Sequence, residues 1–124
     1  MIRDVQWEEV YKYINSLKKL YFIPTGVYGI PRGGLVLAVM ISHLLDIPLL
    51  QAPCKDCIVV DDIADTGITL QHYKEKGYFI TTMFYHKQSK VIPDFWKYEK
   101  KDCWIAFPWE KENVLYQKEI GSKC

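Results

Sequence analysis

The sequence lacks any apolar stretch long enough to cross a bilayer. The uncharged run Leu35 to Ile41 is followed by Ser42, His43 and Asp46, so it reads as a buried helix. There is no excess of charge of either sign. Sixteen Lys and Arg stand against fifteen Asp and Glu, a formal net charge of +1, which excludes a global pull toward nucleic acid or a membrane surface. The opening Met1-Ile2-Arg3-Asp4 lacks the charged-then-apolar layout of a signal peptide, so a cytoplasmic location is expected. Cysteine is scarce: Cys54, Cys57, Cys103 and Cys124 are the only four, and without an export signal they are expected to stay reduced. Cys54-Lys55-Asp56-Cys57 has the spacing of half a zinc site. No second pair follows, and only Cys103, Cys124 and three scattered histidines remain to complete it. Small packing residues at a turn are the favoured reading. Internal repeats, low-complexity tracts and linkers are also absent, so one domain over residues 1–124 is expected. A hydrophobic fraction of 49% with 25% charged residues supplies an ordinary globular core.

What is present alternates between strand and helix. Trp7, Val10, Tyr11, Ile14, Leu17 and Tyr21 recur at three- and four-residue spacing, which predicts an amphipathic helix. Glu8 and Glu9 in its first turn and Lys18 and Lys19 in its last suit the helix dipole, and Pro24 ends it. Gly26 to Ile30 is a run of strand length, followed at once by Pro31-Arg32-Gly33-Gly34. Leu35 to Leu45 is helical again, Pro48 to Gln51 a brief second strand, and Cys57 to Val60 a third, apolar on both faces. A helix over Ile68 to Lys76 closes at Gly77, and Tyr78 to Tyr85 is a fourth strand. The tail beyond Lys87 carries three of the four tryptophans without a helical period, and Trp104-Ile105-Ala106 is a candidate strand. The pattern implies a parallel, doubly wound α/β domain with right-handed crossovers.

The chemistry concentrates in Val59-Val60-Asp61-Asp62-Ile63-Ala64-Asp65-Thr66-Gly67-Ile68-Thr69. Its strand ends at the carboxyl edge of the sheet, where open α/β domains bind ligands. The Gly and threonines that open the next helix offer free N–H groups and hydroxyls to a phosphate. Carboxylates would repel that phosphate unless a divalent cation or sugar hydroxyls stood between them, and a ribose phosphate with Mg²⁺ satisfies both halves. One Asp would be read as a cap; three within five residues after an apolar strand exceed what capping needs.

This segment resembles the phosphoribosyl pyrophosphate (PRPP) motif of type I phosphoribosyltransferases: apolar residues, two acids, two more residues, then Asp-Thr-Gly-x-Thr. The resemblance extends over most of the chain and is closest in pattern to the bacterial xanthine-guanine members, through Val5-x-Trp7, Arg-Gly-Gly-Leu and the tail Trp104-Ile105-Ala106-Phe107-Pro108-Trp109-Glu110. It implies a small C-terminal base-binding hood formed mainly by about 87–124. It implies Mg²⁺-dependent transfer of 5-phosphoribosyl from PRPP to a 6-oxopurine (guanine, xanthine or hypoxanthine), with small-molecule substrates, no nucleic acid, no membrane and a homo-oligomeric state, dimer or tetramer. Carried over by position, Asp61 and Asp62 take the ribose and Mg²⁺ role, and Ala64, Asp65, Thr66, Gly67 and Thr69 the phosphate role, with Asp65 also the general base near purine N7. Arg32 and Gly33 take pyrophosphate, in a loop expected to carry a non-proline cis peptide at Pro31–Arg32. Lys87 is assigned to the 6-oxo group, Trp104 to stacking, the Ile105 backbone to purine position 2, and Glu110 to the place of a metal-side acid. For Lys87 alone a solvated surface lysine is the plainer reading, and Trp96 or Trp109 is expected to serve packing.

One departure stands out. Most members place a hairpin and a long mobile loop between the second and third strands, a lid that excludes water from the reacting ribosyl cation. Here only Gln51 to Asp56 separates Leu50 from Cys57. Two alternatives therefore stay open: a non-catalytic PRPP- or nucleotide-binding regulatory protein, and a phosphoribosyltransferase for a different base.

Overall fold

The structure, a computed structural model, describes residues 2–110; residues 111–124, with Cys124 and the end of the expected hood, lie outside the described residues. The order of elements is β1 (Ile2–Asp4), α1 (Trp7–Ser16), β2 (Val27–Gly29), α2 (Gly33–Leu45), β3 (Ile58–Ala64), α3 (Ile68–Glu75), β4 (Phe79–Tyr85), β5 (Phe95–Glu99) and β6 (Trp104–Ala106). Strands β2-β3-β4-β5 form a parallel sheet in that order, and β1 pairs with β6, also parallel.

Side-chain alternation along β3 explains why both faces need cover. Ile58 and Val60 pack with Val10, Tyr13 and Ile14 of α1 and with Leu37, Ala38 and Ile41 of α2. Val59 packs with Ile80 and with Leu70 of α3 on the other face. Helices on opposite faces of a parallel sheet confirm the expected α/β class. The buried Tyr13 hydroxyl is satisfied by Thr81 Oγ1 at 2.7 Å, fixing α1 to β4. Among the described residues no helix is long and apolar enough to cross a membrane.

Three boundaries differ from the sequence reading, and two strands were not expected. The first helix ends at Ser16 and gives way to a 3₁₀ turn over Leu17–Lys19. Ser16 Oγ donates back to the Lys12 carbonyl at 2.9 Å, a local bond that competes with helix continuation, and Tyr21 is exposed, so another turn would bury nothing. The second expected strand shrinks to a single bridge, Leu49 to Val27. The third runs on to Ala64 because β4 is present beyond Val60 to pair with it, Asp61 with Thr82 and Ala64 with Tyr85. Strands β1 and β5 were not legible: one is three residues long, and the other, Phe-Trp-Lys-Tyr-Glu, has no clean alternation. Cys54 and Cys57 are free thiols as expected, whereas Cys103 is disulfide-bonded, which corrects the expectation for that residue.

Candidate active site

The carboxyl ends of β3 and β5 converge with β6 around a cavity of about 650 Å³, lined by Asp62, Ile63, Asp65, Lys100, Asp102, Cys103, Trp104, Ile105, Phe107 and Glu110. Five of the residues singled out from sequence therefore share one wall: Asp62, Asp65, Trp104, Ile105 and Glu110. They come from two stretches of chain about forty residues apart, one on the four-stranded sheet and one on the β1–β6 pair, brought together by the fold.

Asp61 and Asp62 lie on β3 itself, not in the loop after it. Each has one carboxylate oxygen held by the next backbone N–H: Asp62 N–H donates to Asp61 Oδ1 at 2.9 Å and Ile63 N–H to Asp62 Oδ1 at 2.8 Å. Burial pushes the Asp61 carboxyl up to about 8, helped by the adjacent charge of Asp62. Burial also raises Asp62. Two desolvated acids side by side disfavour double ionisation. A divalent cation would relieve that tension. Among the described residues no group of three or more His, Cys, Asp or Glu could hold a metal alone. The adjacent carboxylates of Asp61 and Asp62 suit a hard ion such as Mg²⁺, which takes one or two carboxylates and fills its shell with water and substrate phosphates.

The second loop meets these acids directly. A Cβ added at Gly33 would lie 2.2 Å from Asp62 Oδ2, so glycine is what lets the Pro31-Arg32-Gly33 turn close on the acidic pair. The peptide joining Pro31 to Arg32 is cis, as expected. Arg32 is exposed at the start of α2, and its guanidinium makes no hydrogen bond or ion pair among the described residues, leaving its fork of donors open.

The turn into α3 is pinned from the side. Gly67 adopts φ +81°, and a Cβ there would fall 2.6 Å from Ser89 Oγ, so both its backbone and its surroundings call for glycine. Lys90 N–H donates to the Thr66 carbonyl at 2.9 Å. Ala64 is buried, while Thr66 and Thr69 are exposed beside the first turn of α3, where unpaired N–H groups and the helix dipole favour an anion. Gly77, at φ +82°, follows the end of α3 as expected.

Asp65 is held by two neighbours. The Gln88 side-chain amide donates to Asp65 Oδ1 at 2.8 Å, and Lys100 Nζ stands 3.6 Å from the same oxygen. Neither was singled out from sequence. Lys100 lies within Lys97-Tyr98-Glu99-Lys100-Lys101, a charge run that alone reads as a solvated face; only the β4–β5 pairing reveals that it turns inward. Lys87, by contrast, is 81% exposed, pairs with Glu99 at 3.7 Å and is not on the cavity wall.

Trp104 is 51% exposed on β6 with its neighbour Ile105 buried, an open aromatic face beside the cavity. Glu110 Oε1 accepts the Phe107 N–H at 3.1 Å, tying it to the wall that also holds Asp62. Trp109 stacks on Phe107 with ring centroids 4.8 Å apart, and Trp96 packs on Tyr85 at 5.0 Å. Those two tryptophans build the frame.

Leu49 and Ile58 both pair with Val27, so the segment between them begins and ends at the amino end of β2. Its return is pinned there, with Thr25 N–H donating to the Asp56 carbonyl at 3.0 Å and Ile58 N–H to that of Gly26 at 2.9 Å.

No protein-family model matches the sequence. The chain is 25% identical to a xanthine-guanine phosphoribosyltransferase of Desulfotalea psychrophila, with 94% of this chain and 91% of that one covered. It is 28% identical to a xanthine-guanine phosphoribosyltransferase of Nitratidesulfovibrio vulgaris, covering 87% and 84%. Among solved structures, the purine phosphoribosyltransferase of Pyrococcus horikoshii matches with a TM-score of 0.77 at 30% identity, covering 88% and 94%. The xanthine-guanine-hypoxanthine phosphoribosyltransferase of Helicobacter pylori gives the same TM-score of 0.77 at 17% identity, a likeness of fold, covering 95% and 99%.

Proposed function

Since the chain belongs to the type I phosphoribosyltransferases, in their purine-specific branch, we propose that it transfers 5-phosphoribosyl from PRPP to a 6-oxopurine, releasing pyrophosphate. The observation that carries this reading is the joining, on one cavity wall, of the acids Asp62 and Asp65 with the open ring of Trp104. A PRPP site alone needs no aromatic face, and a purine site alone needs no acidic pair against a glycine turn.

Asp61 and Asp62 hold the ribose hydroxyls and would hold Mg²⁺, which when bound neutralises charge on the departing pyrophosphate. Ala64, Thr66, Gly67 and Thr69 cradle the 5′-phosphate at the start of α3. Arg32 and Gly33 take the pyrophosphate, with the Arg32 fork matching phosphate oxygens. Trp104 stacks on the base, the Ile105 backbone meets its position 2, and Asp65 accepts the N7 proton as the glycosidic bond forms, help of about 10²–10⁴-fold. Glu110 stands on the pyrophosphate side. Residues from 87 onward act as the base-binding hood of a single domain that works in the cytoplasm as a homo-oligomer on dissolved substrates.

Purified protein with Mg²⁺, PRPP and guanine, xanthine or hypoxanthine should release pyrophosphate. PRPP binding by calorimetry, with no nucleotide from any base, would overturn the reading. That outcome defines the second reading, a PRPP-binding regulator, which the lidless edge between Leu49 and Ile58 favours.

A further inference from the structure

The chain stays zipped on both sides of Asp65 after β3 and β4 have ended. His86 N–H donates to the Ala64 carbonyl and Lys90 N–H to the Thr66 carbonyl, both at 2.9 Å. Asp65 and Gln88 are the residues bracketed by those two bonds, and the Gln88 side-chain amide donates to Asp65 Oδ1 at 2.8 Å. The loop that carries Gln88 has its own brace. Gln88 N–H donates to His86 Nδ1 at 3.0 Å, and Ser89 N–H to the His86 carbonyl at 2.9 Å. With Nδ1 accepting, the ring proton sits on Nε2, which donates to Asp102 Oδ1 at 3.1 Å. A loop tied at this many points presents the Gln88 amide at a fixed place, the condition for one side chain to aim another.

Both groups that hold Asp65 converge on one oxygen. Lys100 Nζ stands 3.6 Å from Oδ1, the oxygen already gripped by Gln88. Oδ2 accepts no hydrogen bond among the described residues, although Asp65 lines the cavity. A carboxylate anchored through one oxygen is hindered from turning about its last bond, so the other oxygen keeps a constant position for a substrate. We infer that Gln88 is the positioning residue for Asp65, locking Oδ1 so that Oδ2 is the atom that takes the proton. In that step a ring N–H bond of the base breaks, its electron pair stays with the base, and an O–H bond forms on Oδ2. The inference rests on the proposed transfer to a base. Gln88 acts through Asp65 and touches no reacting atom, so losing its amide should cost rate and leave binding alone.

The test compares wild type, Gln88→Met, Gln88→Glu, Asp65→Asn and the double variant Asp65→Asn with Gln88→Met. Initial rates are taken with PRPP and whichever of guanine, xanthine and hypoxanthine the wild type uses fastest, alongside calorimetric PRPP binding. Gln88→Met keeps the length and removes the donor. It should lower kcat by about 5–20-fold, with KM for the base and PRPP affinity within about twofold of wild type. Gln88→Glu sets acceptor against acceptor and should lower kcat further. In the Asp65→Asn background Gln88→Met should change kcat by less than about twofold, because the proton acceptor it serves is already gone. An unchanged kcat in Gln88→Met, an equal loss in both backgrounds, or a matching loss of PRPP affinity overturns the role. Should the wild type turn over no base, the transferase reading falls by itself. The Gln88 contact is then judged by nitrogen-edited NMR of the side-chain amides, with the Gln88 signals identified by their loss in Gln88→Met. A shift of those signals in Asp65→Ala supports the contact, and signals that stay in place reject it.

Discussion

The two sides of the cavity are built on different principles. The side proposed for phosphoribose is one continuous stretch, Asp61 to Thr69, in which strand, turn and helix start each supply a part and only the Gly33 turn comes from elsewhere. The side proposed for the base is a composite of Trp104 and Ile105 on β6, with Lys100 just past β5 on the same wall and Gln88 reaching across to Asp65 from the β4–β5 connection. A local site is fixed once its own turn forms. A composite site depends on the pairing of β4 with β5 and of β1 with β6, so its residues become neighbours only in the finished sheet.

Asp65 stands at the seam between these sides, and removing its charge is the sharpest way to separate them. Asp65→Asn should lower turnover by about 10²–10⁴-fold while PRPP affinity stays close to wild type, because the amide keeps the turn's shape but takes no proton. Initial rates and calorimetry on one preparation check this. Equal losses in both would mean that Asp65 belongs to the phosphoribose side alone.

Trp104→Ala tests the composite side. Loss of a stacking face costs about 1–3 kcal/mol per base, so affinity for the base should fall about 10–100-fold. PRPP affinity should barely move, since Trp104 lies on β6 and the phosphate cradle on α3. Losses of equal size for both ligands would show that the two sides fold as one unit and would erase the contrast.

Gly33→Ala tests the local side. The new Cβ would lie 2.2 Å from Asp62 Oδ2, so either the acid or the turn must move. PRPP binding should weaken by roughly tenfold or more, the scale of one displaced charge-assisted contact. Base affinity measured on the free protein should stay near wild type. Retained PRPP affinity would mean that the Asp62 carboxylate is free to swing away.

The same contrast explains what could be read in advance. The Asp61–Thr69 segment was legible because its spacing is itself the geometry: an apolar strand, then acids, then a helix start. Even there, the end of β3 was placed four residues early at Val60, since only the partner strand β4 decides how far pairing continues. Trp104 and Ile105 were legible only through the family's pattern. Lys100 and Gln88 were not legible at all, because a lysine in a charge run and a glutamine in a turn have no periodicity that distinguishes inward from outward. Lys87 shows the converse: its position in the chain suits a base contact, yet its side chain lies in solvent against Glu99.

The smallest effect concerns stability and belongs to the acidic pair. The Asp61 carboxyl is pushed up to about 8 from an ordinary 3.8 by burial and by Asp62. Between those values the folded chain keeps a proton that the unfolded chain has released. Folding therefore binds protons, and the metal-free protein should lose stability as pH rises from about 4 to about 8, with no further gain below that window. One group contributes a slope of at most ~1.4 kcal/mol per pH unit, less where solvent reaches it. The other ionisable groups felt across the packed elements are Tyr13 on α1 and Tyr73 on α3, both raised, Tyr73 to about 12, so neither changes charge in this range. The measurement is the difference between wild type and Asp61→Asn in denaturant melts at pH 5, 6, 7 and 8 with chelator present. The variant should gain on wild type as pH rises. A constant difference would mean that the acids are hydrated well enough to ionise together, and the case for a cation between them would then lose its electrostatic ground.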